Sequence, residues 1–179
     1  MSVQPASYRL GPDDATLAVH TGRSGAAAKA GHDLVMHVTA WEATLALADD
    51  PTQTTMELTA DAGSLRVQKG TGGVQALGDD DKANIHQTID DEVLKRQDIV
   101  FRSTAVSGDA GGPLAVEGDL TLVGATKPVA FELTVAGDGA LAATATLDQT
   151  DWGMKPYSAL FGALKVAAEV RVVLDGRLH

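Results

Sequence analysis

Residues 114–122 read LAVEGDLTL and residues 129–135 read VAFELTV. In the first stretch Leu114, Val116, Gly118, Leu120 and Leu122 fall on one side of an extended chain, and Glu117, Asp119 and Thr121 on the other. In the second, Val129, Phe131, Leu133 and Val135 stand against Glu132 and Thr134. A repeat of two is the mark of a strand with one wet face and one buried face. The pattern recurs in Leu141, Ala143, Ala145 and Leu147. It closes the chain with Leu164, Val166, Ala168, Val170, Val172 and Leu174. Strands of this kind, joined by turn-rich links, form an antiparallel sheet that must close or stack to hide its apolar side. Many of the inward residues are small. The radius of a closed barrel is set by strand number and shear, so small inward side chains leave open volume instead of drawing the walls together.

The 179 residues suit one domain with a full core, expected over 1–179. Apolar residues make up 44% of the chain, which is a globular composition, and aromatics only 4%, so the core is aliphatic. A net charge of -10 disfavours nucleic acid and anionic membrane surfaces as partners. With no cysteine there is no disulfide framework, thiol nucleophile or thiolate metal site. The opening MSVQPASYRL lacks a basic flank followed by an apolar run. No stretch reaches the roughly 18 apolar residues that span a bilayer, so no stable membrane insertion is expected. The expected location is cytoplasmic, or periplasmic or secreted if a leader has been trimmed.

Along the chain, Tyr8 and Leu10 begin an extended segment that continues through Leu17, Val19 and Thr21 after a turn at 11–14. The Ala-rich stretch from Gly22 to Gly31 reads as a short helix or a link, and its flanking glycines favour a link with one or two turns at most. Asp33 to Leu47 reads as one long strand. Leu34, Met36 and Val38 set one phase and Ala43, Leu45 and Leu47 the other, so an extra residue or bend is expected near Thr39 to Trp41. Met56, Leu58 and Ala60 mark the next strand, and Leu65 with Val67 the one after. A Gly- and Asp-rich loop over 70–81 precedes the one main helix, Asp80 to Arg96. Asp80 or Asp81 would cap it, Ile85, Ile89, Val93 and Leu94 form its apolar stripe, and Lys95 and Arg96 suit its C-terminal end. Ile99, Phe101, Ser103 and Ala105 return to strand.

Several local signatures follow one another in a telling order. The helix end Glu92-Val93-Leu94-Lys95 runs into Ile99-Val100-Phe101-Arg102-Ser103. Val116-Glu117-Gly118-Asp119-Leu120-Thr121-Leu122 is followed by Gly124-Ala125-Thr126-Lys127-Pro128-Val129, and Asp151-Trp152-Gly153-Met154 precedes the last strand. Ala30-Gly31-His32-Asp33-Leu34 opens the long strand. In this order the motifs resemble the YceI-like family, also described as polyisoprenoid-binding or lipocalin-like, over roughly Tyr8 to Leu174. Two departures stand out. Gln97-Asp98 replaces a proline common before the "I-x-F" strand, and Thr39-Ala40-Trp41 stands where a glycine and phenylalanine pair is usual. The resemblance implies an all-β, antiparallel lipocalin-like barrel of about eight strands with one main helix alongside. It also implies a long apolar cavity that takes an isoprenoid chain, a quinone tail or a fatty acyl chain. A homodimer fits it too.

The candidate ligand-binding residues are therefore the inward apolar set. From the first half of the chain these are Leu17, Val19, Met36 and Val38. From the second half they are Phe101, Leu120, Leu122, Phe131, Leu133, Leu141, Val170 and Val172. Ala105, Ala143, Ala145 and Ala168 would shape the open volume. Thr150 to Gly162 concentrates Trp152, Tyr157 and Phe161, either as a lid whose aromatics touch the ligand or as a structural plug at one barrel end. Glu117, Asp119, Glu132 and Glu169 read as a solvated face, with Arg102 and Arg171 beside them, and Thr126-Lys127-Pro128 as a tight hairpin device.

No catalytic residue and no cofactor is expected, and the bound partner is an apolar lipid held behind flanking loops. The five histidines show no metal-ligand spacing, and no nucleophile elbow accompanies Ser103 or Ser158. Two other readings stay open. One is an enzyme for a hydrophobic small molecule, using His32 and Asp33 at a cavity wall. The other is a ligand-free stress-response protein with a filled barrel.

Overall fold

The alternation is realised as a single antiparallel sheet. The computed structural model describes residues 3–109, 111–159 and 162–179. Its strands are β1 (Ala6–Leu10), β2 (Ala15–Ser24), β3 (His32–Val38), β4 (Trp41–Leu47), β5 (Thr55–Ala60) and β6 (Leu65–Gly72), followed after a helix by β7 (Ile99–Gly108), β8 (Leu114–Leu122), β9 (Ala125–Val135), β10 (Ala140–Asp148), β11 (Ser158–Ala159) and β12 (Leu164–Arg177). Of the stretch from Gly22 to Gly31, the first three residues finish β2 and the rest is a link with one 3-10 turn at Ala28–Ala30.

The expected long strand over 33–47 is two strands. β3 pairs with β2 and β6, whereas β4 pairs with β1 and β5. The change of face expected at Thr39 to Trp41 is made by a corner at Thr39-Ala40, not by a bulge in a continuous strand. The corner is pinned across to the opposite limb: Thr39 N–H and Oγ1 donate to Ser64 O at 3.0 and 2.8 Å, and Asp61 N–H donates to Ala40 O at 3.0 Å. β1 and β2 bend likewise at Gly11–Asp14, and β5 and β6 at the 3-10 turn Ala62–Ser64. Counting each bent pair as one strand and setting aside the two-residue β11, eight strands pair consecutively. The last, β12, pairs back on β2.

Closure differs along the barrel axis. At one end β4, β5 and β7 form a continuous wall. At the other, β6 is bonded only to β3, because the chain leaves it for α1 (Asp79–Thr88) and returns as β7. The helix fills that missing panel. Gly78 is its N-cap, and the Asp81 carboxylate accepts the Gly78 N–H at 2.9 Å, so Asp81 serves from the third helical position. After Thr88 the helix widens into a π-helical turn, Ile89–Val93, and ends at Leu94. The helix is therefore shorter than expected. Lys95 and Arg96 lie beyond it with left-handed φ of 53° and 56°, and Arg96 pairs with Asp91.

Three bulges set the phase of the wall, the first in β6, which carries one residue more than β3 between Val67 and Lys69. Between Ser103 and Ala105, β7 carries one residue more than β8, so the inward phase passes to Val106 and Ala105 is exposed. The Ser103 hydroxyl at this point accepts Met56 N–H at 2.8 Å. Between Val166 and Val170, β12 carries two more residues than β2, an even number that keeps both valines inward. The hairpin turn expected at Thr126-Lys127-Pro128 lies earlier, at Val123 and Gly124, whose φ values are 51° and 74°. Pro128 is inside β9 opposite Asp119, on an edge that β10 engages only from Glu132 onward, so its missing N–H costs no ladder bond.

The core divides by height. Leu45, Leu133 and Val116 are completely buried, and with Leu10, Trp41, Ala43, Val106, Leu114 and Leu141 they fill the closed end. The helix end is not filled.

Candidate functional site

Above that packed layer lies a cavity of about 510 Å³. That is within the ~300–1,000 Å³ typical of small-molecule sites. β2 and β3 supply Leu17, Val19, Met36 and Val38 to its wall. β7, β8 and β9 supply Phe101, Leu120, Leu122 and Phe131, and β12 supplies Val170 and Val172. Ten of the residues that the alternation assigns to the site therefore face one space.

Leu133 and Leu141 do not. They have the right phase, but they lie on the closed-end side of Phe131 and Ala143, where they are 0% and 2% exposed and pack against protein. Ala143 and Ala145 line the cavity and keep it open. Ala168, in the bulge of β12, and Ala105, turned out by the bulge of β7, do not line it.

The aromatic segment divides as well. Trp152 is buried outside the cavity, and its Nε1–H donates to Leu120 O at 2.8 Å. It is not among the residues that line the cavity, so it is placed away from the ligand space. Tyr157 lines the mouth and is 47% exposed. Phe161 lies outside the described residues. Trp152→Phe should cost about 1–2 kcal/mol, because the buried Leu120 carbonyl loses its donor. Chemical denaturation should register that loss while lipid affinity stays constant.

Other lining residues were legible in phase but not singled out. Leu34, Met56, Leu58, Ala60, Leu65, Val129 and Leu174 continue the same inward alternation. The apolar stripe of the helix, Ile85, Ile89, Val93 and Leu94, also faces the cavity. The periodicity identified that stripe as buried; only the gap beside β6 makes it a cavity wall. Phe101 and Phe131 meet with ring centroids 5.4 Å apart, tilted by 54°. The Phe101 ring lies over Gly118, where any Cβ would collide with it. A side chain at 118 would push the ring into the open volume.

Polar groups gather at the helix end: Thr21, Arg23, His32, Asn84, Thr88, Gln149, Tyr157 and Lys165. Arg23 donates to Gly31 O and pairs through Nε with Asp33 at 3.5 Å. His32 Nε2 lies 2.7 Å from Gln75 O. A carbonyl only accepts, so Nε2 carries the proton. Asp33 thus engages Arg23, and His32 a loop carbonyl, an arrangement that orders the mouth. His37 is in the opposite phase of β3 and joins His20 on the outer face. There burial, with Arg171 and His37 nearby, lowers the His20 pKa. His86 contacts Gly63 O at 2.9 Å. Among the described residues no three His, Cys, Asp or Glu side chains are grouped to hold a metal ion. The outer acids and Arg102 are solvated as expected, with Arg102 paired to Glu57 at 3.9 Å. No helix among the described residues is long and apolar enough to cross a membrane.

A family model described as a YceI-like domain matches residues 8–178. Two UPF0312 proteins of Pseudomonas putida are 38% and 40% identical over 73 residues, which is 36% of this chain and 38% of theirs. The aligned region thus covers well under half of those relatives. Among solved structures, Burkholderia cenocepacia BcnA superposes with a TM-score of 0.65 at 16% identity, covering 90% of this chain and 94% of its own. A polyisoprenoid binding domain from Saccharophagus degradans superposes with a TM-score of 0.58 at 9% identity, covering 98% and 100%. At these identities the likeness is one of fold.

Proposed function

Since the chain belongs to the YceI-like family, we propose that it binds a long-chain apolar lipid in its barrel and sequesters or carries it. The observation that carries this reading is the roughly 510 Å³ space, walled by aliphatic side chains above a fully packed layer and polar at one end only. A polyisoprenoid, an isoprenoid quinone tail or a fatty acyl chain has the matching chemistry. Each methylene withdrawn from water contributes about 0.8 kcal/mol, so burying about fifteen carbons gives ~12 kcal/mol before the cost of association. No bond is made or broken in this reading, and no side chain needs to act as acid, base or nucleophile. The likeness to a fold whose Saccharophagus example is described as polyisoprenoid binding supports it. The engagement of His32 and Asp33 with other groups favours binding over catalysis.

Native mass spectrometry of freshly purified protein, followed by solvent extraction and lipid identification, tests the proposal. Delipidated protein is then titrated with a polyprenol, an isoprenoid quinone and a fatty acid. An extractable apolar adduct, or saturable one-to-one binding of at least one class, is expected. A clean protein mass together with no binding of all three would overturn the proposal.

A further inference from the structure

We propose that α1 is a movable panel of the barrel wall. Its N-terminal half swings away from β6 on a glycine-rich link and pivots on a seat at Gly63, and the gap so made is the route into and out of the cavity. The inference rests on the lipid-binding reading above and adds the path that such a ligand takes.

The wall on this side is unlike the rest. Apart from β6, the long strands around the cavity are bonded to a neighbour on each side, so an opening between them breaks a ladder. β9 and β10 also part, where their pairing stops at Glu132 and Thr144. There the turn Gln149–Trp152 packs against β9 and β12, buries Gln149 and Trp152, and is bonded through the indole to Leu120 O. Between β6 and β7 the wall is α1 and the π-helical turn after it, and no ladder joins them to the sheet. Among the described residues, one hydrogen bond ties the segment 78–93 to the barrel, from His86 Nε2–H to Gly63 O at 2.9 Å.

The apolar seat of the panel is thin as well. No side chain of α1 or of the π-helical turn is buried. Ile85, Ile89 and Val93 face the cavity. Where they meet open volume they forgo the dispersion contacts that hold a core residue. A helix of ten residues has little stability of its own. Few buried contacts and few bonds to the body are the marks of a segment that opens locally while the rest stays folded.

The two ends of the panel are built differently. At the N-terminal end, residues 70–78 read GTGGVQALG, with four glycines in nine positions. Gly72 and Gly73 have left-handed φ of 83° and 73°, and Val74, Gln75 and Ala76 are exposed. Glycine backbones change conformation at little steric cost. This link touches the barrel through Leu77 against Gly70 and through Gln75 O at His32. At the C-terminal end the π-helical turn sits on the corner Ala62–Ser64. Asp90 Oδ1 lies 3.4 Å from where a Cβ at Gly63 would stand, His86 is bonded to the same glycine, and Leu94 is buried. Arg96 is clamped back to Asp91. The firm end is therefore the C-terminal one, and the loose end is the one beside His32 at the mouth.

The chain has no cysteine, so introduced pairs can staple either end. Leu77 Cγ lies 3.1 Å from the Cβ position of Gly70, close to the ~3 Å between a Cβ and the far sulfur of a disulfide. Gly70→Cys with Leu77→Cys thus fastens the loose end. Asp90 Cγ lies 3.6 Å from the Cβ position of Gly63, so Gly63→Cys with Asp90→Cys fastens the pivot. None of these four positions lines the cavity. Each double variant is loaded with the fluorescent fatty acid cis-parinarate, and its release into excess hexadecanoate is timed by stopped flow, oxidised and reduced. The oxidised 70–77 staple should slow release by about tenfold or more, because the local opening before it is suppressed, and reduction should restore the wild-type rate. The 63–90 staple should leave the rate unchanged. Hydrogen exchange of the lipid-free wild-type protein reads the same motion without ligand or mutation. Amides of Lys82 to Ile85 should be protected about tenfold or more less than those in the middle of β2 and β8. Release that the 70–77 staple does not slow, or that the 63–90 staple slows equally, would overturn the proposal, as would α1 amides protected like the sheet. No binding of parinarate with the exchange pattern intact would overturn the lipid reading and support the motion.

Discussion

Ala145→Phe is expected to weaken binding of a long-chain lipid by about a hundredfold while leaving the protein folded. Ala145 lines the cavity and stands opposite Val172 on β12. A benzyl group there occupies space that three or four methylenes of a ligand would otherwise fill. At ~0.8 kcal/mol per methylene that is about 3 kcal/mol, or two decades in Kd. In a close-packed core the same change would force strain of about 1–3 kcal/mol. Here the ring enters open volume, so the thermal midpoint of the lipid-free protein should hold or rise. Titration and thermal unfolding of the same preparation check both halves. Loss of stability with unchanged affinity would mean that the space beside Ala145 is not where the chain lies.

Truncations at the two heights of the barrel should differ in the opposite sense. Leu133→Ala should destabilise the lipid-free protein by about 4 kcal/mol, because the leucine is completely buried in the packed layer and its loss opens a new void. Leu122→Ala should cost about 2 kcal/mol, because Leu122 already borders open space and little new cavity forms. A net stability of only about 5–15 kcal/mol makes this difference easy to resolve by urea denaturation. Lipid affinity should respond to Leu122→Ala and not to Leu133→Ala in the material that remains folded. Equal costs would mean that the cavity closes up in solution.

These two leucines also mark what a single strand's pattern contains. Alternation assigns a side chain to a face and says nothing of its height along the barrel, so Leu133 and Leu141 were indistinguishable from Phe131 and Leu120. Height is fixed by register, and register arises from pairing with strands that are distant in sequence. The same holds for Ala105 and Ala168. Their phase was legible, but the bulges beside them depend on how many residues the partner strand offers. The corner at Thr39-Ala40 was legible as a change of phase, because Val38 and Ala43 cannot share a face of one regular strand. That it hands the chain from β2 and β6 to β1 and β5 was not, because this requires the whole pairing order. The apolar stripe of α1 was plain at helical spacing, whereas its role as a cavity wall depends on β6 lacking a second neighbour. Trp152 was visible as a large aromatic at a turn. Its bond from the indole to Leu120 O, a residue 32 positions away, could not be read from the local sequence.

The methionines give the most direct view of the interior. The chain has four, and three of them line the cavity: Met36 from β3, Met56 from β5 and Met154 from the loop before β11. In protein labelled at the methionine methyl carbons, a bound chain lies against these reporters. NMR with a long-chain fatty acid should move the Met36, Met56 and Met154 methyl signals together, with saturation at one ligand per chain and nuclear Overhauser contacts to the ligand's methylene protons. Binding that leaves all three signals in place would contradict an interior site and put the lipid on the outside of the barrel.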